Sequence, residues 1–156
     1  MRTLLLLACL LFTSACASDA PAGPSWPMSA DLALDQGVIL STGEVVPGAS
    51  YLKVDLIVRK HGSSNFDLKP GGSGPSEIML MHVFKQGGVP QVFGSLDEVK
   101  DKKPSVADYG DYLDSVKTGN AMIVQNNVGD GFTKVWVKQV IASAGMVKIQ
   151  FQPIPE

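Results

Sequence analysis

The 156-residue chain carries 13 Lys and Arg against 15 Asp and Glu, a net charge of −2. That balance, with no basic stripe in the sequence, argues against nucleic acid as a partner, which demands clustered cations on one face. Two cysteines are too few for a disulfide-dense secreted scaffold, and a 45% hydrophobic composition is ample for one core-forming domain rather than two.

Residues 1–15 combine a basic start at Arg2, the apolar run 4–12 and small residues at its end, the pattern of a secretory leader. The run is far short of the ~20 apolar residues that span a bilayer as a helix. Thr13-Ser14-Ala15-Cys16 closes it and resembles the lipobox of bacterial lipoproteins, with Phe12 before it and Thr13 where Leu is usual. The resemblance implies that the Cys16 thiol is lipidated and that the chain is then cut on its N-terminal side. An alternative cut after Ala17 also exists, because Ala15-Cys16-Ala17 reads as A-x-A. Cys9 leaves with the leader, so lipidation would explain the one cysteine left in the mature chain. Ala17 rather than Asp after the cysteine favours the outer over the inner membrane, by the same resemblance.

Residues 16–30 are rich in Ala, Pro, Ser and Gly and read as a tether behind the lipidated cysteine. Trp26 within it either packs on the first strand of the domain or rests at the lipid interface, and the first is preferred. The domain itself is assigned to 31–156.

Residues 37–40 and 44–46 flank Ser41-Thr42-Gly43 as a hairpin. From Leu52 the alternation predicts Leu52, Val54, Leu56 and Val58 inward, with Lys53, Asp55 and Arg59 outward. Residues 60–76 read as a long loop containing a short strand at Phe66 and Leu68. Residues 78–84 are apolar on both faces and predict a central, most buried strand, turned by Gln86-Gly87-Gly88-Val89-Pro90. Ser95-Leu96-Asp97-Glu98 offers a helix cap and capping box, and 109–117 a further helical turn or two. Residues 121–125, 132–141 and 146–154 predict a closing meander, with Val135, Val137 and Ile141 on one face of its long strand. The sum is a mainly β fold: an antiparallel β-sandwich or partly closed barrel with one minor helical segment.

The stretch 37–47, followed by Val54-Asp55-Leu56 and later by 124–137 with Gly129-Asp130-Gly131 and Lys134, resembles the HmuY-like group of secreted all-β lipoproteins. The likeness covers the two ends of the domain and leaves its middle unmatched. It implies an all-β envelope lipoprotein in a functionally mixed group whose best-known member binds haem. Haem needs axial ligands, and His61 and His82 are the only histidines. The residues themselves read more simply: His82 as a core histidine beside Leu80 and Phe84, His61 as a solvated loop residue, and Met79 and Met81 as core filling.

Catalytic signatures are missing from the sequence. There is no Gly-x-Ser-x-Gly elbow, and Gly71-Gly72-Ser73-Gly74-Pro75 lacks the lysine of a phosphate loop. Asp108, Asp111 and Asp114 recur every third residue, unlike the alternate ligands of a calcium loop, and read as a solvated helix face. The remaining candidate is a contact surface for protein or glycan, in which Phe132, Lys134, Trp136 and Lys138 alternate along one strand face. The expectation is thus a lipid-anchored, non-enzymatic envelope protein that binds a partner or serves as a structural surface component.

Overall fold

The computed structural model describes residues 23–48, 53–62, 65–71, 80–105, 112–127 and 131–155. The leader and Cys16 lie outside them, as do Met79, Asp108, Asp111 and the 128–130 turn.

The fold is mainly β and antiparallel. A five-stranded sheet runs in the order β1 (Met28–Ala33), β11 (Met146–Pro153), β10 (Phe132–Ile141), β9 (Ala121–Gln125), β6 (Met81–Val83). A four-stranded sheet runs β3 (Glu44–Val46), β2 (Gly37–Ile39), β4 (Leu56–His61), β5 (Asn65–Pro70). A small ribbon pairs β7 (Lys85–Gln86) with β8 (Val89–Pro90) across Gly87 and Gly88, both at positive φ. The sheets do not close into a barrel. They enclose one core, to which Leu32, Phe151, Ile149, Val137, Val135, Met122 and Met81 contribute from the first sheet and Leu56, Val58 and Leu68 from the second. This is a β-sandwich.

The ordered β-structure starts at Met28 rather than at 31. Trp26 sits over the edge of Phe151, ring centroids 6.2 Å apart, so it belongs to the core margin.

Several strand expectations need correction. β6 is an edge strand, hydrogen-bonded to β9 alone among the described residues, not a central one. The outer face of the sheet beside it is covered by a crossing segment that packs Phe93, Leu96 and Val99 against Phe84, Ala121 and Trp136. Residues 65–70 form a full strand paired with β4, which shortens the expected loop. The alternation through β4 breaks before it begins. Val54 joins Ile57 and Val46 in a separate cluster, and Asp55, expected outward, is fully buried. In β10 a bulge between Val137 and Gln139 inserts one residue, so Val140, not Ile141, faces the core opposite Val147.

The expected helices shrink. Leu96–Glu98 is a single 3-10 turn whose Ser95 side chain makes no cap, and Glu98 reaches back to the Gly94 N–H at 2.8 Å instead. Residues 112–117 are extended. Leu113 exchanges both backbone hydrogen bonds with Leu68, at 3.0 and 3.1 Å, and so adds to the free edge of β5.

The topology separates two ends of the sandwich. β1 runs from Met28 to the 34–36 turn and β2 returns, bringing Gly43 so close to Met28 that a Cβ on this positive-φ glycine would strike the methionine side chain. At the other end Val58 exchanges hydrogen bonds with Asp35 and Gln36, both at 3.0 Å. β4 continues past that turn to His61. His61 therefore stands at the end opposite Met28.

Candidate functional site at the end of the β4–β5 hairpin

The register pairs His61 with Asn65 and Arg59 with Asp67, which sets these four side chains on the sheet face turned away from Leu56, Val58, Phe66 and Leu68. Diagonal neighbours on one sheet face are within reach of long side chains. Asp67 uses that diagonal: its carboxylate oxygens lie 3.0 and 3.1 Å from His61 Nδ1. The extended 112–116 segment closes over it. Ser115 donates its backbone N–H to Asp67 Oδ1 at 3.1 Å, and Asp114 Oδ1 comes within 3.9 Å of His61 Nδ1. Ser115 is one of two non-glycine residues at positive φ among those described, at +48°, the geometry that aims its N–H back at β5 while Asp114 faces the imidazole.

Burial is graded across the group. Asp67 is 4% exposed, whereas the side chains of His61 and Asp114 are about half open, at 44% and 52%. Lys69 lies beside the group, with Nζ 4.0 Å from Asp67 Oδ2 and 4.8 Å from the centre of the Tyr112 ring. Within 4.8 Å of one another, then, stand one imidazole nitrogen and two carboxylate oxygens.

Asp114 and Ser115 also line a shallow groove with Val89, Pro90, Val92, Lys117 and Asn120. Its walls carry two well-exposed apolar side chains, Val89 and Val92. The buried Asn120 holds it open by accepting the Lys117 N–H at 2.8 Å and donating Nδ2 to the Gln91 carbonyl at 3.2 Å. At about 230 Å³ it is smaller than the ~300–1,000 Å³ of sites for drug-sized ligands. It is no haem pocket, and neither histidine lines it.

The other expected site residues fall elsewhere. His82 is half-buried on the outer face of β6, edge-on to Phe84 with centroids 5.0 Å apart and Nε2 3.3 Å from Lys102 Nζ. It is not a core residue, since Met81 and Val83 fill that side. His61 and His82 stand on different sheets, each with its own partners, and are not a pair of axial ligands. Trp136 is covered by the 93–101 segment and donates Nε1–H to the Phe93 carbonyl at 3.1 Å. Lys134 is 9% exposed and paired with Asp101 at 3.0 Å. The strand face holding Phe132 and Trp136 is therefore packed, with Phe132 half-buried at its end. Sequence reasoning missed Asp67 altogether, took His61 as a solvated loop residue and placed Asp114 with Asp108 and Asp111 on a solvated helix face. Only the alternation of Phe66 and Leu68 around Asp67, opposite a strand ending in His61, hinted at the pairing.

No protein-family model, no curated protein and no solved structure matches the chain. The likeness to the HmuY-like group rests on its short motifs alone.

Proposed function

We propose that this protein is a lipid-anchored bacterial cell-envelope protein, held through Cys16, that works by binding rather than by catalysis. The observation that carries the reading is the apolar run 4–12 followed by Thr13-Ser14-Ala15-Cys16, with no other cysteine from there to Glu156. A sandwich of two sheets around one core needs no disulfide, which accords with a cysteine reserved for the lipid. The Ala-, Pro- and Ser-rich stretch behind Cys16 has the composition of a tether and leads into β1 at Met28. The end bearing His61 lies opposite the strand end at which this stretch enters the domain. Ala17 favours the outer membrane as the address. His61 and His82 stand on different sheets, which does not favour the haem reading, and Trp136 is packed, which does not favour a Phe132–Trp136 contact surface.

The test is metabolic labelling with radioactive palmitate. Label on the unmutated protein and its loss in Cys16→Ala are expected. An unlabelled protein whose mature mass begins at Ser18 overturns the anchor in favour of ordinary secretion.

A further inference from the structure

We propose that His61, Asp67 and Asp114 form a binding site for a single divalent transition-metal ion of the zinc class. The site does not depend on where the chain is anchored, and it supplies the binding chemistry that the general reading leaves open.

The donor set argues the class. An imidazole nitrogen with two carboxylate oxygens suits zinc and its neighbours, whereas calcium takes six to eight oxygens and magnesium keeps most of its water. Distances argue the geometry. Bonds of ~2.0–2.2 Å in a tetrahedral shell put ligand atoms roughly 3.3–3.5 Å apart. His61 Nδ1 is 3.0 Å from Asp67 Oδ1 and 3.9 Å from Asp114 Oδ1, values that straddle that spacing. An ion between them asks for side-chain adjustments well under the reach of Asp114, whose carboxylate is half open to water.

Support around the ligands is unequal, in a way that suits a metal. Asp67 is fixed by burial and by the Ser115 N–H, so one ligand is held in place before an ion arrives. The open side, toward Asp114 and the groove, leaves a fourth position for water or for a donor group of a partner. Charge agrees as well: two carboxylates face the imidazole, and a divalent cation would offset their charge. A plain ion pair between His61 and Asp67 would account for those two residues. It gives no reason for the second carboxylate on the same imidazole nitrogen.

The experiment uses the full chain in detergent micelles with Cys9→Ser and Cys16→Ser, so that no thiol competes. Cobalt(II) is titrated against its visible absorption and zinc(II) is then used to displace it. One saturable equivalent is expected, weakened at least about tenfold in His61→Ala and in Asp114→Asn and unchanged in His82→Ala. Asp114→Asn guards against misfolding, since its side chain is half exposed and all variants are compared by circular dichroism in chelator. Absence of a saturable equivalent overturns the site. So does binding that survives both His61→Ala and Asp114→Asn, or that is lost in His82→Ala.

Discussion

The carboxylate of Asp55 accepts the backbone N–H of Asn127 across 72 residues of chain, and so joins the second sheet to the connection between β9 and β10. Its other oxygen accepts the Leu40 N–H at 2.6 Å, and Asn127 returns a hydrogen bond from Nδ2 to the Val54 carbonyl at 3.2 Å. A fully buried carboxylate is tolerated only when its acceptors are used. Asp55→Ala strands two N–H groups, each costing ~1–3 kcal/mol, and is expected to lower unfolding free energy by about 2–5 kcal/mol. Asp55→Asn keeps one acceptor and should fall between. Urea denaturation of the three proteins checks the order, and equal midpoints would show the bridge to be idle.

Trp136 offers a cleaner separation of packing from hydrogen bonding. Trp136→Phe loses the bond to Phe93 but keeps a ring under the 93–101 segment, for about 1 kcal/mol. Trp136→Ala loses both, and about 2–4 kcal/mol is expected for a half-buried ring of this size. Indole fluorescence supplies a second readout: Trp136 should resist aqueous quenchers in the native protein.

Gly37 is required for close approach rather than for an unusual φ. A Cβ there would lie 2.7–2.9 Å from the buried side chain of Val54. Gly37→Ala is expected to cost about 1–3 kcal/mol as overpacking. The double variant Gly37→Ala with Val54→Ala should recover part of that loss in the same melts.

Leu113 reports on the extended segment that carries Asp114. It is fully buried and bonded to Leu68 on both sides. Leu113→Ala should destabilise by roughly 2–5 kcal/mol. Leu113→Pro also deletes the N–H given to Leu68 and should be worse.

The readable parts of the fold were those with local causes. The β2–β3 hairpin follows from a glycine that reaches φ +76° at Gly43, and the closing meander from alternation punctuated by Gly145 at +62°. What escaped has distant causes. Asp55 alternates like a solvent-facing residue, and its burial is stabilised by the N–H groups of Leu40 and Asn127, both far from it along the chain. The bulge in β10 adds one residue to a period of two, so every position beyond it changes face. Residues 109–117, with aspartates at 108, 111 and 114, suggest a helical turn or two, yet over 112–117 the open edge of β5 offers backbone partners that this spacing cannot reveal. Asp114 meets His61 only because that edge is filled.

The placement of β1 has a mechanical side. It is an edge strand held to β11 by a six-residue antiparallel register from Met28↔Phe151 to Ala33↔Met146, with Lys148 and Asp31 paired at 3.2 Å along it. A pull applied at Met28 and resisted at the His61 end runs parallel to that register. The ladder then bears force in shear, with its hydrogen bonds loaded together rather than opened one after another. An edge strand placed this way is a grip, strongest against a load applied along its own length.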